Sequence, residues 1–155
     1  MKKLVIIDGK SVFYRGYYAM GALSLSDGTP TGGVYGFAAI AMEIVKSLSP
    51  TKVVVAWDKA KTSISKRKEI YADYKAGRVK PPEDFYAQIP LLRELISDLG
   101  WTFLECDGYE ADDMRLLQVR LINCRHWGTA GDAQGSITPL GNTGIRQCTA
   151  SFDCD

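Results

Sequence analysis

Histidine is almost absent from this 155-residue chain, which has a single one, and its four cysteines, at positions 106, 124, 148 and 154, form no CxxC pair. That spacing argues against a zinc ribbon and against the disulfide frame of a small secreted domain, and it favours a reducing compartment. Long apolar runs are missing too. The longest, Val34 to Val45, carries Glu43 and is too short to span a bilayer, while Met1-Lys2-Lys3-Leu4 leads straight into a strand pattern in place of a signal-peptide core. The expected location is the cytoplasm. Nor is there an excess of one charge: 19 Lys and Arg against 18 Asp and Glu give +1, which selects no class of partner. With 15 Gly and 6 Pro the chain is neither collagenous nor of low complexity, and 46% hydrophobic residues suit one globular domain. A domain of this length buries about two thirds of its unfolded surface, enough for a core without disulfides.

The charge that is present is unevenly placed. From Lys59 to Lys80 eight basic residues face only Glu69 and Asp73, whereas Asp107 to Asp113 holds four carboxylates and no base. A basic block beside an acidic one is what a metal-dependent enzyme on a polyanion requires, since phosphates need cations and divalent metals need oxygen anions. The alternative is two solvated surface segments. Beyond Asp113 the composition changes. Residues 1–113 contain 11 Lys and 6 Glu, and residues 114–155 contain neither, an outcome expected about once in a thousand draws at the earlier frequency. This tail holds three of the cysteines, the histidine and no long period, so it reads as a loop-rich end, a disordered extension or the product of a changed reading frame.

Residues 1–113 alternate between strand and helix patterns. Leu4–Ile7, Lys52–Trp57 and Trp101–Cys106 are apolar or aromatic runs of the kind buried on both faces of a sheet. Between the first two, Val34, Phe37, Ala38, Ala41, Val45 and Leu48 recur at helical spacing. Between the last two, Pro81-Pro82-Glu83-Asp84 opens a helix lined by Phe85, Ile89, Leu92, Ile96 and Leu99, which Pro90 should kink and Gly100 should end. The order implies a parallel α/β sheet flanked by helices. Each strand then runs into acid: Asp8 after the first, Asp58 after the second, and Asp107, Glu110, Asp112 and Asp113 after the third. Carboxyl ends of parallel strands share one edge, where ligands of open α/β folds bind. Asp8, Asp58, Glu110 and Asp112 would repel one another there unless a cation sat among them, and all-oxygen donors favour Mg²⁺ or Mn²⁺ over zinc. A single strand-end aspartate is more simply a helix cap or turn residue, but three strand ends together exceed what capping needs.

Several ordered motifs carry a resemblance: Ile7-Asp8-Gly9, Tyr14-Arg15-Gly16-Tyr17-Tyr18-Ala19, Gly33-Val34-Tyr35-Gly36-Phe37, Ala56-Trp57-Asp58, Arg67 with Tyr71 and Tyr74-Lys75-Ala76-Gly77-Arg78, and Gly108-Tyr109-Glu110-Ala111-Asp112-Asp113. Over residues 3–113 the chain resembles the 5′ nuclease domain at the N-terminus of bacterial DNA polymerase I, in the flap endonuclease superfamily. The resemblance implies a PIN-like, Rossmann-like parallel sheet and a structure-selective 5′-3′ exonuclease or flap endonuclease using two divalent ions. Its partner would be DNA with a 5′ flap or 5′ end, RNA primers included, with no membrane. By position it assigns Asp8, Asp58, Glu110 and Asp112 to the first metal and Asp113 toward the second. It also assigns Arg15 and Lys75 to the scissile phosphate and Arg67, Tyr71, Tyr74 and Arg78 to handling of the flap. Tyr71 and Tyr74 could equally be helix packing, and Tyr14, Tyr17 and Tyr18 read as core and interface. Gly32-Gly33 suits either close approach to a phosphate or a plain hinge.

Past Asp113 the resemblance stops. Gly131-Asp132-Ala133-Gln134 falls near the expected Gly-Asp-x-Asp turn, but Gln134 replaces the second carboxylate and no apolar strand precedes it. Nothing resembles the duplex-gripping helices, so the sheet is expected to be truncated after its third strand, with an open edge. Cys124 and His126 have no second pair with zinc spacing. The two-ion clamp is incomplete on this reading, and the alternative to a nuclease is an inactive fragment that retains weak nucleic-acid binding.

Overall fold

The computed structural model describes residues 2–59, 64–77, 79–105, 107–111, 113, 135–139 and 145–150. In chain order the elements are β1 (Lys2–Asp8), α1 (Gly9–Met20), α2 (Gly32–Leu48), β2 (Lys52–Ala56), α3 (Ser65–Ile70), α4 (Glu83–Ala87), α5 (Ile89–Asp98), β3 (Thr102–Leu104), β4 (Gly135–Pro139) and β5 (Ile145–Ala150). The sheet order is β3-β2-β1-β5-β4. The three expected strands are parallel, with Asp8 opposite Ala56 and Ala56 opposite Leu104, so their carboxyl ends form one rim. The sheet does not stop there. Residues 135–139 and 145–150, whose sequence shows no extended period, add an antiparallel pair, and β5 lies along β1 from Lys2↔Ala150 to Ile7↔Ile145. An open edge was expected; the β1 side of the sheet is paired.

Alternation along the strands sets the layers. Val5 and Ile7 of β1 and Val53 and Val55 of β2 join Val12, Phe13, Phe37, Ala41, Phe85, Leu92 and Ile96 in one core, which places α1, α2, α4 and α5 on that face. On the other face Ile6 and Ala56 pack with Ala111, and Leu4, Leu104 and Tyr109 lie against them. Helix α1 crosses α2 at the pair Gly16 and Gly36, where a Cβ on Gly36 would stand 2.3 Å from the Gly16 Cα. Only two glycines allow backbones to approach so closely. The expected single helix after Pro81 is divided: α4 ends at Ala87, and Pro90, in the first turn of α5, opens a new helix rather than kinking an old one. Gly100 ends it with φ 68°. Leu99, expected on the apolar stripe, is 37% exposed. Among the described residues no helix is long and apolar enough to cross a membrane.

Candidate acidic rim and its basic segment

Asp8 ends β1 and caps α1. Its carboxylate accepts the Ser11 N–H at 3.0 Å and the Ser11 hydroxyl at 2.8 Å, a local geometry that any strand-to-helix turn with Asp at the N-cap can form. Gly9 lets that turn lie against β2, because a Cβ there would meet Val55 Cγ1 at 2.6 Å and Trp57 Cε3 at 2.7 Å. Asp58 stands two residues beyond β2. Its Oδ1 accepts the N–H of buried Ala111 at 2.7 Å, which ties the end of β2 to the turn that carries Glu110 and Asp113. That turn curls on itself, since the Glu110 N–H donates to Asp113 Oδ2 at 3.1 Å.

Glu110 is the rim's buried charge, its side chain 4% exposed. Both of its oxygens are engaged by the basic segment. Lys75 Nζ donates to Oε1; the Tyr74 hydroxyl donates to Oε2 at 3.0 Å; Arg67 Nη1 lies 2.5 Å from Oε2. Arg67 also donates to Tyr74 Oη at 2.7 Å and, through Nη2, to Asp113 Oδ1 at 2.8 Å. Burial pushes the Glu110 carboxyl up, but hydrogen bonds from Lys75 and Tyr74 and the charges of Lys75 and Arg67 outweigh it and hold the group below the ordinary carboxylate range. The Arg67 guanidinium is raised by its bonds to Asp113 and Tyr74 and by the Glu110 charge. The Tyr74 ring lies 5.5 Å from the Arg67 guanidinium and 5.2 Å from Lys75 Nζ, within cation–π range.

Other predicted residues fall at the margins. Arg15 is exposed on α1. Tyr71, just past α3, is 62% exposed and its carbonyl accepts the Tyr74 N–H at 3.0 Å. Asp112 and Arg78, like Gly131–Gln134, Cys124 and His126, lie outside the described residues. Asp107 pairs with Lys59 at 2.7 Å on the exposed side of the rim. Of the three tyrosines read as core and interface, Tyr17 is buried and Tyr18 is 63% exposed. Among the described residues, no group of three or more His, Cys, Asp or Glu side chains is gathered as a metal cage. What gathers instead is a charge cluster: Glu110 and Asp113 with Arg67, Tyr74 and Lys75. Its two acidic members offer carboxylate oxygens, hard donors of the kind Mg²⁺ and Mn²⁺ take, with no thiolate or imidazole among them.

Two buried polar contacts lie outside the rim, one from Gln88, which has no sequence signal, and one from the Tyr17 hydroxyl. Gln88, 2% exposed, accepts the Gly33 N–H at 2.8 Å and donates to the Asp84 carbonyl at 3.1 Å, so it satisfies the start of α2 from the break between α4 and α5. Tyr17 donates its hydroxyl to Asp84, 2.7 Å from both carboxylate oxygens. The contacts that bind Gln88 to α2 and Tyr17 to α4 have no local signature, because Gly33 lies 55 residues from Gln88 and Asp84 lies 67 from Tyr17.

Comparison with known proteins narrows the chemistry. Residues 3–119 match the family described as 5′-3′ exonuclease, N-terminal resolvase-like domain. A 5′-3′ exonuclease of Aquifex aeolicus is 44% identical over 115 residues, which cover 74% of this chain and 39% of that protein. DNA polymerase I of Bacillus subtilis is 41% identical over 113 residues, covering 73% of this chain and 13% of the polymerase. The chain thus spans well under half the length of these relatives. Two solved structures share the fold: the bacteriophage T5 flap endonuclease with DNA and metal ions (TM-score 0.54, 24% identity, 77% of this chain and 44% of that one) and the T5 5′-exonuclease with zinc (TM-score 0.53, 22% identity, the same coverage).

Proposed function

The chain belongs to the 5′-3′ exonuclease family, through its N-terminal resolvase-like domain, and on that footing we propose that it carries the N-terminal half of a divalent-cation-dependent nuclease acting at 5′ ends and 5′ flaps of DNA. One observation carries this reading: the basic, aromatic segment Arg67–Lys75 folds directly onto the carboxylates Glu110 and Asp113 that follow the third strand. A site for a phosphodiester backbone needs both signs of charge within reach of one phosphate, and this is where the chain brings them together.

In this reading Asp8, Asp58, Glu110, Asp112 and Asp113 are the residues that would hold Mg²⁺ or Mn²⁺, two ions in the complete family domain. When bound, such ions supply Lewis acidity toward the phosphate and a lowered pKa for water. Arg15 and Lys75 neutralise the scissile phosphate, and Arg67 and Arg78 hold the flap backbone. Tyr71 and Tyr74 stack on unpaired bases, each contact worth about 1–3 kcal/mol. RNA at a 5′ primer end is a substrate of the same chemistry, and the protein acts in the cytoplasm. Residues 114–155, of which the family match covers only the first six, are read as a divergent tail, either a disordered extension or the product of a changed reading frame, and the coding DNA decides between the two. In the second case another frame beyond codon 113 should spell a helix, a strand and Gly-Asp-x-Asp.

Cleavage of a 5′-flap DNA with and without Mg²⁺ tests the main reading, with Asp8→Ala as the blank. Cation-dependent cleavage by the native chain alone supports it. Equal residual cleavage by both proteins would leave the inactive fragment with weak nucleic-acid binding as the better description.

A further inference from the structure

From the geometry of the rim we infer that Arg67, Tyr74 and Lys75 form an electrostatic latch that competes with divalent cation for Glu110 and Asp113, so that cation loading frees the 64–77 segment. The inference rests on the proposed cation-holding role of those carboxylates and adds a regulation of it.

The contacts leave little room for sharing. Glu110 is almost fully buried, and its two oxygens take Lys75 on one side and Arg67 with Tyr74 on the other. Asp113 gives Oδ1 to Arg67 and Oδ2 to the Glu110 N–H. A divalent cation on these oxygens would place like charges side by side against a carboxylate shielded from water, where their repulsion is strong. Cation and latch therefore exclude each other, and linkage makes the exclusion reciprocal. Backbone geometry points the same way. Lys75 sits at φ 61°, a left-handed conformation uncommon for a side chain of its length, and its ammonium is bound to Glu110. Release lets that backbone relax. The same exchange moves positive charge from the acidic rim to where a phosphate backbone could take it up, so the basic segment becomes available to DNA when the cation is present.

Calorimetric titration of the full chain with MgCl₂ alone tests the latch without any nuclease readout. Arg67→Gln and Lys75→Gln should each bind Mg²⁺ about tenfold more tightly than the native chain, the size expected when one opposing ion pair need no longer be broken. Lys59→Gln, which removes an equal charge from the same rim but faces Asp107, should change affinity less than about twofold. In the native chain, hydrogen–deuterium exchange of residues 64–77 should accelerate when Mg²⁺ is added. Equal or weaker binding by the Arg67 and Lys75 variants, an equal gain in the Lys59 variant, or unchanged exchange in the segment overturns the latch and leaves the nuclease reading standing. Absence of Mg²⁺ binding in every protein overturns both, which separates the two failures.

Discussion

The carboxylate of Asp58 accepts the backbone N–H of Ala111 at 2.7 Å, joining the end of β2 to the turn that carries Glu110. The bond gives Asp58 two separable jobs, since an acceptor at that position supports the turn whether or not it is charged. Asp58→Asn keeps an acceptor and should cost under about 1 kcal/mol, whereas Asp58→Ala leaves a buried N–H unpaired at about 1–3 kcal/mol. Urea unfolding reads the difference. Flap cleavage should be lost in both, because the charge is gone from both. An Asn variant that cleaves normally would confine Asp58 to the turn.

Among the described glycines, Gly36 at the crossing of α1 and α2 leaves the least room for a side chain. A methyl group on Gly36 would press into the backbone of Gly16, with nothing flexible to yield, so Gly36→Ala should destabilise by about 3 kcal/mol or more. Gly77→Ala is the control, since a Cβ there meets nothing within 4 Å. It should leave the thermal midpoint unchanged or slightly raised. Equal loss from the two substitutions would mean that the crossing is looser than described here.

Tyr17 predicts a pH dependence on the alkaline side. The hydrogen bond to Asp84, then burial and the Asp84 charge, push its hydroxyl from 10.0 up to about 12. A folded-state pKa raised above the unfolded one contributes stability that is fully present below pH 10 and is lost as pH climbs through about 12. Tyr17→Phe should therefore be less stable than the native chain near neutrality, by about 1 kcal/mol, and should show a flatter decline through that window. Asp84→Asn should flatten it likewise. Urea midpoints measured across the window check this, and parallel declines in all three proteins would remove Tyr17 as the cause.

How much of this was legible before the coordinates depends on how local each signal is. The strands β1, β2 and β3 are apolar runs, and α2 has a clean helical stripe, so the parallel sheet and the alignment of its carboxyl ends on one edge followed from pattern and topology. Helix α1 was less visible because its buried face alternates Val12, Phe13 and Tyr17 with Gly16, a residue that propensity alone counts against a helix. Pro90 was seen but its effect misjudged, since a proline in the first turn starts a helix as readily as it bends one. The pairing of β5 with β1 was invisible because main-chain hydrogen bonds can recruit a segment with no pattern of its own. The closure of Arg67 and Lys75 onto Glu110 depends on contacts 35 or more residues apart. Composition marked both charge blocks; only the fold brings them into contact.

Asp8 is where capping and cation binding are hardest to tell apart, because the Ser11 N–H and hydroxyl engage both oxygens of its carboxylate as a cap. The two roles respond differently to one atom. Asn caps helices about as well as Asp, so Asp8→Asn should unfold within a few tenths of a kcal/mol of the native chain, while Asp8→Ala should lose about 1 kcal/mol. Cation affinity follows charge and not capping, so both variants should bind Mg²⁺ more weakly in a calorimetric titration and neither should cleave a 5′ flap. Were Asp8→Asn to retain native affinity and cleavage, the aspartate would be a helix cap and the rim would begin at Asp58.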